Sequence, residues 1–340
     1  MYNQFFGLNK EPFSMTPDPS CLFLTPAHRE ALAGLTYAIL SRKGFVVLTG
    51  DAGTGKTTLL RRVFGSIPSA RIRFSMVLNP TLTPSEFLEL ALHDFGITEI
   101  PDSKAQRLIL LQQFLLEAHQ KKQQAVLVVD EAHKLPMDVL EELRLLSNFE
   151  LAETKLLQIV LAGQTELADL LDRQDLRQLK QRISVRLAIH PLSPTGVDHY
   201  IAHRWQKAGA TKAHPFTTEA VAHIALCSHG IPRLVNALCD NALMLAYATS
   251  NTSIGIEQII EVSKDLSLDE SPHGTSSDRS TAARGELKRS TQLAVNGHSN
   301  GAVNELPPAP TLVPTLENYR GTGQKPGRLK RIAFRLGLVD

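Results

Sequence analysis

Short apolar runs alternate with longer stretches of helical periodicity over the first half of the chain. Five of the runs are rich in β-branched and aliphatic residues: FVVLT (45–49), RIRFSMVL (71–78), AVLVVD (125–130), LLQIVLAG (156–163) and ISVRLAI (183–189). Strands separated by helices of this length form βαβ units, and the resulting parallel sheet is covered on both faces. We therefore predict an α/β domain with a five-stranded parallel sheet over residues 45–192.

The pattern becomes entirely helical from about residue 193. Three segments have helical periodicity: PTGVDHYIAHRWQKAG, TTEAVAHIALCSHG and IPRLVNALCDNALMLAYAT. Gly209 and Gly230 mark the ends of the first two, and Pro232 begins the third, where its missing N–H costs little. We predict a small all-α domain over residues 193–265, and an N-terminal segment with a first helix over residues 1–44.

The last part of the chain has a different composition. Residues 266–326 are rich in Ser, Gly, Pro, Asn and Thr, and such a segment buries too little apolar surface to offset its ordering entropy. We predict a disordered linker there. In residues 327–340, apolar and arginine side chains fall on opposite faces of a short helix. This basic amphipathic tail could contact a membrane, a nucleic acid or a protein, or simply fray.

Composition and charge exclude few functions. The net charge of +2 neither requires nor excludes a nucleic-acid partner. The N-terminus does not have the pattern of a secretory signal, and no run reaches the 18 or so apolar residues of a membrane span. Three cysteines without CxxC spacing indicate reduced thiols. These features predict a cytoplasmic protein.

A glycine-rich loop directly follows the first predicted strand. GDAGTGKT, residues 50–57, matches the pattern GxxxxGK[ST] with a strand before it and a helix after it. In such a loop backbone N–H groups face phosphate oxygens, Lys56 reaches the terminal phosphates, and the Thr57 hydroxyl can ligate Mg²⁺. The predicted nucleotide-binding residues are Gly50, Asp51, Ala52, Gly53, Thr54, Gly55, Lys56, Thr57 and Thr58.

The third predicted strand ends in two adjacent carboxylates. Asp130 and Glu131 follow a fully apolar run, where acids are costly unless a positive charge meets them. Taken alone, they could equally begin the next helix, for which Asp is a good cap. Beside a phosphate loop, Asp130 is predicted to hold Mg²⁺ and Glu131 to polarise the water that attacks the γ-phosphate of ATP. The letters DEAH also occur in DEAH helicases, but those enzymes need a second α/β domain, and only helices and a linker are predicted after residue 190.

The order of these motifs resembles that of the AAA+ ATPases, and in particular the ExeA family, also called general secretion pathway protein A. The resemblance extends to about residue 263. It is carried by MYNQFFGLNKEPFSMTPDPSCLFLTPAHREALAGLTYAI at the N-terminus and by GDAGTGKTTLL, LVVDEAHKL, LLQIVLAGQTEL, LRQLKQRISVRL and GIPRLVNALCDNAL. It implies Mg²⁺-dependent ATP hydrolysis in a homo-oligomer, with the helical domain as a lid over the nucleotide.

The resemblance also implies roles for residues outside the phosphate loop. Gln164, after the fourth strand, corresponds to the polar sensor that contacts the γ-phosphate or the attacking water. Arg182, before the fifth strand, corresponds to an arginine that reaches into the neighbouring subunit's site, with Arg186 as the alternative. Arg233 corresponds to the second sensor. The alternative for Arg182 and Arg186 is a solvated helix face. Arg233 opposes the dipole of the helix that it begins, which indicates another role.

Three alternatives remain for the process that the nucleotide serves. The first is an envelope secretion or polysaccharide export machine, with the protein in the cytoplasm or held peripherally at the inner membrane by its basic tail. The second is DNA-dependent ATP hydrolysis similar to that of transposition helper proteins. The third is a nucleotide-binding scaffold without hydrolysis, against which Glu131 argues. Longer members of the family continue into a membrane span and a peptidoglycan-binding domain, and we expect neither in this sequence.

Overall fold

The predicted parallel sheet is present in the structure, a computed structural model that describes residues 2–16, 18–78, 81–152 and 154–268. The strands are β1 (Phe45–Gly50), β2 (Ile72–Val77), β3 (Gln124–Val129), β4 (Glu150–Leu151), β5 (Thr154–Lys155), β6 (Leu157–Gly163) and β7 (Ile183–Ile189). Five of them form a parallel sheet in the order β2-β3-β6-β1-β7. The small antiparallel pair β4–β5 was not predicted from the sequence.

Helices cover both faces of the sheet and form the second half of the described chain. They are α1 (Tyr2–Phe5), α2 (Pro26–Leu40), α3 (Lys56–Ser66), α4 (Pro84–Asp94), α5 (Lys104–Gln120), α6 (Met137–Leu146), α7 (Glu166–Leu171), α8 (Arg177–Lys180), α9 (Pro194–Lys207), α10 (Thr218–Ser228), α11 (Pro232–Ala248) and α12 (Ile256–Asp265). Several begin at cap residues whose side-chain oxygens accept backbone N–H groups of the first turn. These caps are Thr25, Thr83, Ser193 and Thr217.

The interior strand β3 shows why strands buried in the sheet are continuously apolar. Val126 and Val128 pack with α2 and α3 on one face of the sheet, whereas Leu127 and Val129 pack with α4 to α6 on the other. Because successive side chains point to opposite faces, a strand buried on both sides needs apolar residues at every position. The edge strand β7 differs, since its residues alternate between partly buried and exposed positions.

Helices α9 to α12 pack around a separate hydrophobic core, and we call this part, residues 193–265, the lid. The fourth helix, α12, was not recognised in the sequence pattern. The N-terminal segment, residues 2–16, contributes Tyr2, Leu8 and Phe13 to the lid core. Phe13 is completely buried, and its ring contacts that of Phe216 edge-to-face. The chain therefore begins inside the lid before it enters the α/β domain at α2.

A buried arginine holds the N-terminal segment to the lid. Arg204 in α9 is 8% exposed, and its Nε donates to the carbonyl oxygen of Pro12 at 2.6 Å. One Nη donates to the carbonyl oxygen of Ser14 at 3.2 Å. A buried guanidinium is costly unless its donors are satisfied, so these carbonyl partners fix the path of the segment.

The lid is joined to the sheet by residues 190–193, which lie against the turn between α10 and α11. The backbone N–H of Leu192 donates to the carbonyl oxygen of Gly230 at 2.8 Å. Gly230 has φ +71°, and a Cβ at this position would lie 2.0 Å from the carbonyl oxygen of Leu192. Only glycine combines this backbone conformation with so close an approach.

Several sequence predictions concern residues that the structure does not describe. The predicted linker continues beyond the last described residue, and the basic tail at residues 327–340 lies wholly outside the described residues. Within the described ranges, no helix has both the length and the apolar character required to cross a membrane. Cys21, Cys227 and Cys239 are buried and form no disulfide.

We expect Gly230→Ala to destabilise the lid. The new methyl group would meet the Leu192 carbonyl, and an alanine in the left-handed region adds backbone strain, so the free energy of unfolding should fall by about 2–4 kcal/mol. Gly65→Ala is the matched control, because a Cβ there meets nothing within 4 Å and Gly65 lies in α3. It should leave stability unchanged or raise it by up to about 1 kcal/mol. Urea unfolding of both variants tests this, and equal midpoints would contradict it.

Candidate functional site

The sheet order brings three strand ends to one edge. Strands β3, β6 and β1 are neighbours and run parallel, so their carboxyl ends lie side by side. The phosphate loop, residues 50–58, follows β1. Asp130 and Glu131 follow β3, and Gln164 follows β6 between them. Because adjacent strands are about 4.8 Å apart, all three sets of residues begin within roughly 10 Å of one another.

The phosphate loop curls through glycines into the first turn of α3. Gly53 and Gly55 have φ +80° and +100°, and Gly55 is the residue before the helix. The side chain of Lys56 is buried, and its Nζ donates to the carbonyl oxygens of Gly50 at 2.7 Å and Asp51 at 3.0 Å. The loop thus places an ammonium group beside a helix N-terminus, where an anion is favoured.

The ionisation of Lys56 depends on the carboxylates across the site. Burial lowers the pKa of Lys56, whereas the negative charges of Glu131 and Asp130 raise it. Desolvation disfavours the charged form, and nearby opposite charges favour it. A bound phosphate chain would add negative charge on the same side, so it would also favour the ammonium form.

Thr57 and Asp130 form a direct contact between the loop and the end of β3. The Thr57 hydroxyl donates to Oδ2 of Asp130 at 2.5 Å. Asp130 is buried, its backbone N–H donates to the Val77 carbonyl, and its Oδ1 accepts the backbone N–H of Glu131 at 3.0 Å. A hydroxyl and a carboxylate side by side are the hard oxygen ligands that Mg²⁺ prefers, so these residues fit the predicted metal site.

Glu131 is held in an unusual backbone conformation at the same edge. It has φ +54°, which costs a non-glycine residue on the order of 1–3 kcal/mol. Its carboxylate is partly exposed, with Oε2 lying 3.6 Å from Nε2 of His133 and 3.8 Å from Nζ of Lys134. The strain is consistent with a carboxylate that must face the site and cannot follow the strand.

A cavity of about 310 Å³ lies beside the phosphate loop. Its walls come from the phosphate loop, from the end of the N-terminal segment and the residues between it and α2, and from lid helices α9 and α11. Glu131 lines it, together with Met15, Leu22, Phe23, Tyr200, Arg204, Arg233 and Asn236. The phosphate loop and Glu131 give it one polar wall, and Met15, Leu22 and Phe23 supply apolar surface. This combination suits a ligand with a phosphate chain and an aromatic base.

The start of α11 packs directly on the phosphate loop. A Cβ added at Gly53 would lie 2.7 Å from Cβ of Arg233 and 3.0 Å from Cγ2 of Ile231. Arg233 is exposed and lines the cavity, so its guanidinium is available to a phosphate there. The structure thus brings Arg233 together with the phosphate loop, as the resemblance implied.

His28, at the start of α2, was not predicted from the sequence, yet it supports the phosphate loop. Its Nε2 lies 3.1 Å from the carbonyl oxygen of Thr54, and its Nδ1 lies 2.7 Å from the hydroxyl of Thr25. A carbonyl oxygen only accepts, so Nε2 carries the hydrogen and Nδ1 accepts from Thr25. A histidine in a TPAH helix start has no local pattern that distinguishes it, because its partner lies 26 residues later in the chain.

Arg182 is not part of the cavity in its own chain. It lies at the opposite end of the sheet, because β7 runs from Ile183 to Ile189 and Ile189 is paired with Gly50. At about 3.3 Å per residue, Arg182 is roughly 20 Å from the phosphate loop. An arginine at this distance cannot contact a nucleotide in the same chain.

The guanidinium of Arg182 is bound at the end of α6. Its Nη1 donates to Oδ1 of Asn148 at 2.6 Å, to the carbonyl oxygen of Arg144 at 3.3 Å and to the hydroxyl of Ser147. Arg186, the alternative to Arg182 for the role in trans, is exposed, and its Nη2 lies 3.8 Å from Oδ1 of Asp172. Arg182 is thus partly buried just before β7, whereas Arg186 is exposed in the middle of this strand, paired with Val47.

Comparison with known proteins agrees with this geometry. Residues 39–171 match a family model described as an AAA domain. The chain is 42% identical to general secretion pathway protein A of Aeromonas hydrophila over 255 residues, which is 75% of this chain and 46% of that protein. The chain therefore spans about half of the length of this relative.

Solved structures share the fold. The Aeropyrum pernix ORC2 protein, solved as ADPNP-ADP complexes, matches with a TM-score of 0.57 and 16% identity over 76% of this chain and 72% of that chain. Cdc6p from Pyrobaculum aerophilum matches with a TM-score of 0.58 and 15% identity over 76% and 72% of the two chains. At such low identities the likeness concerns the fold alone.

We expect acid to destabilise the protein partly through His28. Burial lowers the pKa of His28, with its hydrogen bond to Thr54 acting in the opposite direction. The unfolded imidazole binds a proton at about pH 6.5, so below that pH the unfolded state binds more protons and stability falls. The fall should continue until the pH reaches the lower pKa of the folded protein.

His28→Gln removes this titration and keeps an amide donor at the position of Nε2. Urea midpoints measured from about pH 7.5 to about pH 5.5 should fall less steeply for the variant than for the wild type. Part of the slope should remain, because burial also lowers the pKa of His203. Identical slopes in the two proteins would contradict the assignment.

Proposed function

Because the chain belongs to the AAA+ ATPases of the ExeA family, related to general secretion pathway protein A, we propose that it hydrolyses ATP in a Mg²⁺-dependent reaction. Hydrolysis changes the position of the lid in a homo-oligomer that acts on a protein partner. The observation that carries the proposal is the contact between Thr57 and Asp130 beside the buried Lys56 and the strained Glu131. These are the oxygen ligands, the cation and the carboxylate that phosphoryl transfer to water requires.

Each residue at the edge of the sheet has a distinct role in this proposal. Lys56 and the N-terminus of α3 bind the phosphate chain. Thr57 and Asp130 hold Mg²⁺, which supplies positive charge to the phosphate oxygens. Glu131 faces the cavity and orients the attacking water, accepting hydrogen bonds from it. Gln164, at the end of the intervening strand, is proposed to contact the γ-phosphate or this water.

Lid position depends on the nucleotide through Arg233. Its helix begins against Gly53 of the phosphate loop, so a phosphate chain bound there attracts the guanidinium and favours a closed lid. Loss of the γ-phosphate removes part of this attraction. Because the N-terminal segment is bound to the lid through Arg204, a change in lid position also moves the apolar wall of the cavity.

Arg182 is proposed to complete the active site of a neighbouring subunit. Its distance from the phosphate loop of its own chain supports a role in trans, as do its position near the surface and the chemistry of guanidinium groups at a transferring phosphate. To act there it must exchange its contacts with Arg144, Ser147 and Asn148 for the phosphate oxygens. Oligomerisation therefore includes a local rearrangement at the end of α6.

The partner is proposed to belong to an envelope secretion or polysaccharide export machine. The relationship to general secretion pathway protein A supports this process, with the protein acting from the cytoplasm. The DNA-dependent alternative would use the basic tail or the lid to bind phosphates, and the tail lies outside the described residues.

Turnover measured over a wide range of protein concentration tests the shared site. The rate per chain should rise with concentration as subunits assemble. Glu131→Gln should lower the rate per chain by about 10²–10⁴-fold, because it removes the carboxylate that orients the attacking water. Arg182→Ala should lower the rate by about 10³-fold, because it removes the positive charge supplied to the neighbouring subunit's site. Arg173→Ala is the control, since this surface arginine pairs with Asp175 at 2.8 Å. A flat rate per chain, unaffected by Arg182→Ala and Arg186→Ala, would rule out the shared site.

The metal site is tested by the Mg²⁺ dependence of ATP turnover. Thr57→Ala removes a ligand oxygen and should raise the Mg²⁺ concentration needed for half-maximal rate by at least about tenfold. Thr57→Ser keeps the hydroxyl and should remain close to the wild type. If the alanine variant has the same Mg²⁺ dependence as the serine variant, Thr57 does not bind the metal.

A further inference from the structure

His133 is a polar residue that the proposed mechanism does not use, and it lies between Glu131 and the end of β6. It belongs to the short 3-10 turn Ala132–Lys134, directly after Glu131, and its side chain is only 12% exposed. Its Nδ1 lies 3.3 Å from the backbone nitrogen of Gln164, which donates a hydrogen bond to it. Its Nε2 lies 3.6 Å from Oε2 of Glu131. One imidazole ring thus joins the two strand ends.

The hydrogen bond from Gln164 determines which ring nitrogen carries the hydrogen. A backbone N–H can donate only to an unprotonated nitrogen, so Nδ1 is the acceptor and the hydrogen of the ring is on Nε2. This Nε2–H faces the carboxylate of Glu131. The distance from Nε2 to Oε2 of Glu131 is longer than a hydrogen bond of about 2.7–3.2 Å. A shift of less than about 1 Å by either side chain would bring the two atoms within hydrogen-bond distance.

The backbone around the turn fixes the ring in this place. A Cβ at Gly163, the last residue of β6, would lie 3.2 Å from the backbone nitrogen of His133 and 2.9 Å from Cδ2 of Leu167. The absence of a side chain at residue 163 therefore allows the turn to approach the end of β6. His133 does not line the cavity described above, whereas Glu131 does.

We propose that His133 is a positioning residue that sets the orientation of the Glu131 carboxylate for hydrolysis. After a small shift of either group its Nε2–H donates to the carboxylate, while the backbone N–H of Gln164 holds the ring. A shift of the β6 end on nucleotide binding would reach Glu131 through this ring. The inference rests on the proposed function, because orientation of Glu131 matters only if this carboxylate acts on the attacking water.

Three substitutions separate this role from simple support of the Gln164 loop. The side-chain oxygen of His133→Asn can accept the Gln164 N–H but cannot reach Glu131, whereas the longer amide of His133→Gln can donate at the position of Nε2. His133→Ala does neither. We expect Ala and Asn to lower kcat by about 10- to 100-fold, with KM and nucleotide affinity changed by less than about twofold. His133→Gln should stay within about fivefold of the wild type.

His93→Ala is the matched control, because His93 is an exposed histidine in the last turn of α4. Asn and Gln variants are close in size, so their comparison holds even if the alanine variant folds poorly. In a Glu131→Gln background, His133→Ala should change the residual rate by less than about twofold, since the group that it positions is already absent.

Several outcomes would overturn the inference. Wild-type kcat in His133→Asn would mean that the ring only supports the Gln164 loop. A further large loss in the Glu131→Gln background would mean that His133 acts independently of Glu131. If the wild type hydrolyses ATP, Glu131→Gln does not, and all His133 variants match the wild type, the positioning role is wrong while the proposed function stands. A wild type without turnover at any concentration would overturn both.

Discussion

The parallel order of β3, β6 and β1 is the constraint on which the rest of the structure depends. Each strand is buried along its length and contains no charged residue, so charged groups appear only beyond the strand ends. Parallel pairing puts the carboxyl ends of these strands at one edge. The phosphate loop, Gln164 and the Asp130–Glu131 pair are therefore brought together by the strand order itself. The hydrogen bond between Thr57 and Asp130 links the first of these ends to the third. The chain turns sharply after β3, and Glu131 adopts a strained left-handed backbone conformation there.

The lid is connected to the α/β domain on two sides of the cavity. One connection runs through residues 190–193 and depends on the close packing of Leu192 on Gly230. The other is the chain that leads into α2. Its N-terminal segment is bound to the lid by Arg204, and the residues that follow line the cavity. A lid tethered twice cannot move freely about a single hinge. Its movement must change the walls of the cavity, which is the coupling that a nucleotide-dependent device needs.

Local sequence signals predicted the sheet and the residues at its carboxyl edge. Continuous apolar runs identified the five strands, and the glycine spacing placed the loop that ends in Lys56 and Thr57. The contacts of His28 and His133 could not be predicted this way, because their partners lie 26 and 31 residues away and no local period relates them. The same holds for the N-terminal aromatic residues. Only the fold determines that Phe13 packs against Phe216, which lies far along the chain.

The position of Arg182 connects the two ends of the sheet. Helix α6 begins shortly after Glu131 and the His133 turn. The residues that bind the Arg182 guanidinium, Arg144, Ser147 and Asn148, lie in its last turn and just after it. A helix is stiff over ten residues, so a displacement near Glu131 is carried along about 15 Å to the other end. In the proposed function, the nucleotide state of one subunit would therefore alter how tightly Arg182 is held. Because the arginine is proposed to act in the next subunit, α6 gives each site a direct mechanical path to its neighbour.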